Sequence, residues 1–179
     1  ECFDEVVLAC HSPHALALLD APAADERAVL GAIGYQRNTA VLHTDASLLP
    51  SRRKAWAAWN FEAGLRDGQH SVCLHYLLNR LQPLPWSTPV IETLNPLRWP
   101  ADASVLGRFE FEHPVFDMAA VSAQQRLPSI QGRSGVWFCG AWAGHGFHED
   151  GLQSGLAVAC GLRATLAAPP RAAQERAAA

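Results

Sequence analysis

The stretch that decides the fold is Val136–Ala159, with the sequence VWFCGAWAGHGFHEDGLQSGLAVA. Its first five residues form a short, continuously apolar run ending at Gly140, which is typical of a strand buried on both faces. A glycine-containing turn follows, and the next segment predicts a helix from Gly151 to about Leu166. The sequence therefore predicts a strand, a turn and a helix in direct succession.

The start of this predicted helix has the features of a site for a negatively charged group. Asp150 can cap the helix, with Gln153 as its reciprocal partner three residues on. Gly151 and Gly155 are four residues apart, so one helix face would carry no side chains and a helix or ligand could approach closely. The unpaired N–H groups carry partial positive charge, which would stabilise negative charge on a bound group. An ordinary capped helix without a ligand is the alternative interpretation.

The whole stretch resembles the C-terminal FAD motif of the superfamily that includes flavin-containing amine oxidases, protoporphyrinogen oxidase and phytoene desaturase. In that motif a strand ends in Gly-Ala or Gly-Glu, and a loop leads to an acidic residue, Gly, two variable residues, a small residue and Gly. The matching residues are Gly140-Ala141 and Asp150-Gly151-Leu152-Gln153-Ser154-Gly155. The segment Gly144–Gly151 is most similar to a bacterial-type subgroup of predicted NAD/FAD-binding, amine-oxidase-like proteins. The opening strand, Phe3–Cys10, is similar to the family strand that returns to the cofactor domain.

The resemblance implies an FAD-dependent oxidoreductase in which a hydride passes from a substrate carbon to the flavin. It also implies a set of residues that contact FAD: Gly140, Ala141, Glu149, Asp150, Gly151 and Leu152. The resemblance assigns no catalytic residue. His145 and His148 are candidates for proton transfer beside the flavin ring, and the alternative is that they close the loop by hydrogen bonds.

Three departures from the family pattern narrow the expected chemistry. The dinucleotide fingerprint G-x-G-x-x-G is absent, so the adenine half of FAD lacks its cradle in this chain. The only lysine is Lys54, outside the candidate substrate strand Ala40–His43, and His148 stands where amine oxidases place a tyrosine. We therefore expect C–C dehydrogenation or isomerisation of an apolar substrate in preference to amine oxidation. The alternative is a catalytically silent remnant or a partner-binding module.

The rest of the chain predicts an α/β fold plus antiparallel β structure, the C-terminal portion of a two-domain, Rossmann-like FAD-binding oxidoreductase. An FAD-binding domain is expected at residues 1–12 and 131–167, a nested substrate domain at 13–130, and a disordered tail at 168–179. Helices are expected from Ser12, as N-cap, to about Leu19, at Asp25–Leu30 and at Met118–Leu127. Strands are predicted by short apolar or alternating runs between Pro, Gly and Asp clusters, at Val6–Cys10, Thr39–Thr44, Ala55–Phe61, Ser71–Leu77, Val90–Leu94, Leu106–Glu112 and Val136–Gly140.

Composition excludes several other classes of function. The net charge of −3 over 179 residues argues against nucleic-acid binding, and no apolar run reaches the about 18 residues that a membrane span needs. The five cysteines have irregular spacing, which indicates reduced thiols and a cytoplasmic location. No metal site is predicted, because the eight histidines form no recognisable ligand motif. The chain begins at Glu1 without an initiator Met, so we expect it to be a piece of a longer protein.

Overall fold

A computed structural model describes residues 2–66 and 68–167. The strands of this part are Val6–Leu8 (β1), Gly34–His43 (β2), Trp59–Arg66 (β3), Gln69–Leu77 (β4), Ile91–Leu94 (β5), Val105–Val115 (β6) and Val136–Phe138 (β7). The α-helices are Ser12–Leu18 (α1), Ala24–Leu30 (α2), Leu78–Leu81 (α3), Met118–Arg126 (α4) and His148–Ala167 (α5). The predicted tail, 168–179, lies outside the described residues.

The chain divides into two compact units, of which one is discontinuous. The first unit comprises the residues up to Tyr35 and those from Pro114 onward, and the second is Gln36–His113. These boundaries differ from the predicted 1–12, 131–167 and 13–130. The reason is that α1, α2 and α4 share one apolar core with the β7 segment, which sequence periodicity alone does not reveal.

The first unit is organised around a parallel pair of strands, β1 and β7, in register from Val6 opposite Val136 to Leu8 opposite Phe138. The second edge of β7 is closed by a side chain. The Phe138 N–H donates to Gln131 Oε1 at 2.8 Å, and Gln131 Nε2 donates to the Phe138 carbonyl at 2.7 Å. A primary amide thus replaces one further residue of strand. β7 ends two residues earlier than predicted, since Gly140 turns the chain with φ at +153°.

The second unit contains a five-stranded sheet in the order β3-β4-β5-β2-β6. The pairings β3–β4, β4–β5 and β5–β2 are antiparallel, which confirms the expected antiparallel block. The predicted strand Ala55–Phe61 was placed too early, because β3 begins only at Trp59. The Ala57 N–H donates to Asn60 Oδ1 at 3.0 Å, and Asn60 Nδ2 donates to the Ala57 carbonyl at 2.8 Å. These two hydrogen bonds hold the chain in a turn just before β3 begins.

The described residues therefore have mixed α/β content, with one parallel and one antiparallel sheet. All five cysteines are free, although Cys2 and Cys160 are exposed and do not belong to a core. Within residues 2–66 and 68–167, no helix combines the length and apolar content that crossing a membrane requires.

Candidate functional site

The candidate site begins where the parallel strands β1 and β7 end. The Cys139 N–H donates to the Leu8 carbonyl at 3.2 Å, and the Trp142 indole Nε1 donates to the Cys10 carbonyl at 2.9 Å. Gly140 lies between these links. A Cβ there would lie 2.6 Å from Trp142 Nε1, and its φ of +153° is one that L side chains rarely adopt. Gly140 is therefore required by the way the chain leaves β7.

The turn after β7 is tied to the two helices that flank it. Gln124 on α4 donates through Nε2 to the carbonyls of Trp142, at 2.9 Å, and Gly144, at 2.7 Å. The Gly140 N–H donates to Ser154 Oγ on α5 at 3.1 Å. These hydrogen bonds fix the Gly140–Gly144 segment on regular structure, and a rigid support of this kind is what a binding site needs.

The start of α5 differs from the prediction. The helix begins at His148, so Asp150 is not its N-cap and Gln153 is not the reciprocal partner. Asp150 lies in the first turn and its Oδ2 accepts the Phe147 N–H at 2.9 Å, while Gln153 Nε2 donates to Glu149 Oε1 at 2.7 Å. The capping interaction exists, but with Phe147 at the cap position and Asp150 three residues later.

This shift moves the positive end of the helix. The Gly151 N–H donates to the Phe147 carbonyl at 3.2 Å, so it is already used inside the helix. The amides without an i−4 helical acceptor belong to residues 148–150. The Phe147 N–H, with a smaller contribution from His145, holds the pKa of the Asp150 carboxyl below its usual range. An ionised Asp150 in the first turn is favourable to the helix dipole.

The two histidines proposed for proton transfer lie near the turn without being enclosed by it. The His145 side chain is 89% exposed, and its Nδ1 lies 3.8 Å from Asp150 Oδ1. His148 is exposed as the first residue of α5. The structure thus brings His145 to Asp150 and leaves His148 facing outward.

The glycines of α5 differ in what surrounds them. A Cβ at Gly161 would meet the Trp137 ring at 2.5 Å, so packing explains that glycine. A Cβ at Gly151 would lie in ordinary contact with the Ala141 nitrogen at 3.6 Å. At Gly155, by contrast, no contacting atom lies within 4 Å in the described part of the chain. Internal packing therefore gives no reason for Gly155.

A cavity of about 440 Å³ lies in the first unit, between α4 and α5. Its walls include Leu127, Trp137, Gly144, Asp150, Ser154 and Val158. Among the described residues, two buried polar side-chain atoms have no hydrogen-bond partner, namely His11 Nδ1 and Ser12 Oγ. His11, not Ser12 as predicted, is the N-cap of α1, three residues after the end of β1. Unpaired buried polar atoms are uncommon and suggest a missing partner.

A second polar cluster, which sequence reasoning missed, lies inside the antiparallel sheet. The Asp45 N–H donates to His43 Nδ1 at 3.1 Å, so His43 carries its proton on Nε2 and donates it to Thr93 Oγ1 at 2.7 Å. Thr93 then donates to His75 Nδ1 at 2.8 Å, and His75 Nε2 donates to Glu62 Oε2 at 3.2 Å. Burial lowers the pKa of His43, which agrees with this neutral assignment.

The sequence did contain a signal for this cluster. Cys73 and His75 alternate along an apolar strand with residues that face outward, so the alternation predicts that both face the same side as buried Leu77. Cys73 Sγ lies 3.5 Å from His75 Nε2, and the ligand atoms of Glu62, Cys73 and His75 all lie within 4.8 Å of one another. No protein-family model matches the chain, and no curated protein is significantly similar to it.

Proposed function

We propose that this chain supplies the flavin-contacting C-terminal part of an FAD-dependent oxidoreductase with a two-domain, Rossmann-like fold. The unit containing β1 and β7 would belong to the FAD-binding domain, and Gln36–His113 to the nested substrate domain. The observation that carries the proposal is Gly155: a helix-interior glycine, one turn after Gly151, with open space beside it. Such a glycine lowers helix stability, and close approach of a ligand is a reason to keep it.

Three features of the first unit fit a flat, partly anionic group. The turn at Gly140 lies at the carboxyl ends of two parallel strands, which is where open α/β sheets bind their ligands. Next to it, the first-turn amides at residues 148–150 supply N–H donors and positive potential. The unpaired Ser12 Oγ, in the first residue of α1, offers one further polar group.

The residues proposed to contact the isoalloxazine and ribityl part of FAD are Gly140, Ala141 and Glu149–Leu152. FAD would supply a two-electron acceptor for a hydride from a substrate carbon. The chain's own contribution would be to hold the ring against the Gly151–Gly155 face and to direct the amides of residues 148–150 at developing negative charge. The Gly151 N–H would not donate to FAD, because it already donates to the Phe147 carbonyl. Gly151 would contribute only the close approach of its backbone to the ring.

The proposed reaction is C–C dehydrogenation or isomerisation of an apolar substrate. Lys54 is exposed on a 3-10 turn, Arg53–Ala55, and the strand segment Ala40–His43 carries no lysine. The proposed site would therefore lack the lysine that amine oxidases of this superfamily place near the flavin. Anaerobic mixing of the FAD-loaded full-length enzyme proposed here with primary amines and polyamines should leave the flavin absorbance unchanged, and rapid bleaching by a simple amine would contradict this reaction class.

The binding site itself can be tested by titrating the ¹⁵N-labelled chain with FAD. We expect weak binding, because the G-x-G-x-x-G cradle is absent, with amide shifts concentrated at Gly140, Ala141 and Glu149–Leu152. Gly155→Ala should remove these shifts, since its methyl group would occupy the open face. Gly34→Ala, where a Cβ also meets nothing within 4 Å, is the matched control and should leave them unchanged.

The outcome separates the enzyme proposal from a partner-binding module. Tight stoichiometric binding of FAD would show that the cofactor is held by a different part of this chain. An absence of shifts at the turn, with Gly155→Ala indistinguishable from the parent chain, would leave the exposed face of α5, including Leu152 and Leu156, as a protein-binding surface.

A further inference from the structure

We propose that Glu62, Cys73 and His75 form a binding site for a transition-metal ion, with Zn²⁺ as the best match to the donor set. The three residues lie on neighbouring antiparallel strands. Glu62 of β3 is directly opposite Cys73 of β4 in the sheet register, and His75 is two residues further along β4. Residues two apart on a strand face the same side, so the sheet itself brings the three side chains together.

The distances within the cluster match a tetrahedral zinc site. Cys73 Sγ lies 3.5 Å from His75 Nε2, and His75 Nε2 lies 3.2 Å from Glu62 Oε2. With Zn–S of about 2.3 Å and Zn–N and Zn–O of about 2.0 Å, a regular tetrahedron has an S···N edge of about 3.5 Å and an N···O edge of about 3.3 Å. Two of the three ligand-atom separations therefore already have the values that the ion would impose, and the third, between the ligand atoms of Cys73 and Glu62, is within 4.8 Å.

The donor types select against the abundant hard cations. Mg²⁺ and Ca²⁺ prefer sets of oxygen ligands, whereas one sulfur, one imidazole nitrogen and one carboxylate suit Zn²⁺. Cys73 and His75 are 0% and 2% exposed, and Glu62 is half-buried. The ion would be bound by two ligands fixed in the core and one at the surface, which provides a path of entry.

A fourth coordination position would open toward a cavity of about 230 Å³. Its lining includes Glu62 and His75 together with Leu49, Phe61 and Arg98. Arg98 Nε lies 3.9 Å from Glu62 Oε1, so Oε2 is left for the metal. Three protein ligands with an open position are characteristic of catalytic zinc, where water or a substrate atom completes the set.

The hydrogen bonds behind His75 can support the metal-bound form after one rearrangement. Binding through Nε2 moves the imidazole proton to Nδ1, which would donate to Thr93 Oγ1, now 2.8 Å away. Thr93 would then accept from both His75 and His43, as the two lone pairs of a hydroxyl permit. The Asp45 contact to His43 is unchanged. The hydrogen bond from His75 Nε2 to Glu62 would be replaced by the bonds of both residues to the metal, and the Thr93 hydroxyl would no longer donate to His75. The Cys73 thiol proton would be released, so that three metal–ligand bonds would form.

The test is a titration of the metal-free 179-residue chain with Co²⁺, followed by displacement with Zn²⁺. We expect one equivalent of cobalt to bind with a thiolate-to-cobalt charge-transfer absorption and tetrahedral d–d bands, and Zn²⁺ to abolish both. Cys73→Ser should lose the charge-transfer absorption. Cys139→Ser, which changes a buried cysteine of the other unit, is the matched control and should retain it.

Two further variants keep the test decisive if Cys73→Ser does not fold. Glu62→Gln changes a partly exposed ligand and should weaken Zn²⁺ binding by roughly tenfold or more, and Thr93→Val should weaken it by about 10–100-fold through the lost support of His75. Glu92→Gln, on the neighbouring strand β5, should bind as the parent does. The proposal is overturned if the parent chain gives no charge-transfer absorption at one equivalent, or if Glu62→Gln binds Zn²⁺ unchanged. It uses none of the residues proposed for FAD, so either proposal can fail alone.

Discussion

Two glycines of one helix, Gly155 and Gly161, should respond to alanine substitution in opposite directions. Both lie inside α5, where replacing Gly by Ala stabilises a helix by about 0.5–1 kcal/mol through backbone entropy. At Gly155 the new methyl group meets no atom within 4 Å in the described part of the chain, so no packing penalty offsets that gain. We expect Gly155→Ala to raise the free energy of unfolding by about 0.5–1 kcal/mol.

At Gly161 the steric term dominates. A Cβ there would lie 2.5 Å from the six-membered ring of Trp137, well inside the contact distance of about 3.5–4.0 Å between carbon atoms. The ring cannot move away easily, because it is buried and its Nε1 donates to Glu5 Oε2 at 2.7 Å. Overpacking of this kind costs about 1–3 kcal/mol, so Gly161→Ala should give a net loss of stability.

The assay is urea unfolding followed by tryptophan fluorescence and far-UV circular dichroism for both variants and the parent chain. A gain of stability in Gly155→Ala together with a loss of the FAD-induced amide shifts would identify a glycine kept for a ligand and not for folding. A loss of more than about 1 kcal/mol in Gly155→Ala would refute the reasoning, because it would mean that the methyl group meets a part of the molecule that packs on this face.

Three further perturbations test the packing around the two candidate sites. The free energy of unfolding should fall as the pH drops from 7.5 to 5.5. Burial lowers the pKa of His43, so in this range the unfolded chain, with a His pKa of about 6.5, binds more protons than the folded chain. His43→Gln should flatten this pH dependence, measured by denaturant titration at each pH. Gln131→Leu should cost about 1–3 kcal/mol, since it leaves both backbone groups of buried Phe138 unpaired, and a neutral result in urea would contradict the role given to this amide. Trp142→Phe removes the donor to the Cys10 carbonyl and should cost about 1–2 kcal/mol, measured as a lower urea midpoint at an unchanged m-value.

Local patterns were sufficient to predict most elements, but not where α5 begins. An Asp that caps a helix and an Asp in its first turn that reaches back to the cap amide have the same local sequence signature. Only the hydrogen bond from the Phe147 N–H to Asp150 distinguishes them. The error of three residues matters for function, because it turns the Gly151 amide from a free donor into an internal one.

The polar cluster in the sheet could not be predicted for a different reason. Its side chains come from separate strands, and their meeting depends on register. Glu62 lies opposite Cys73 only because of how the β3–β4 hairpin pairs, and a shift by one residue would turn one of the two side chains to the other face. Thr93 joins them through the pairing of β4 with β5, in which His75 is directly opposite it. Periodicity indicates that His75 faces inward, but not what it meets there.

At both candidate sites the sequence departs from what stability alone would favour. Gly161 is suboptimal for a helix, yet the Trp137 ring requires it, so folding alone explains it. Gly155 carries the same cost without any such contact. Likewise, the buried side chains of His43, Thr93 and His75 lose their hydration on folding, which costs free energy that apolar side chains of similar size would not lose. The hydrogen bonds among the three side chains compensate for only part of this cost. Where a sequence departs from what stability favours and no internal contact compensates, the reason is to be sought in binding or chemistry. On that criterion the open face of α5 and the Glu62–Cys73–His75 cluster, rather than the exposed histidines of the turn, are the places to test first.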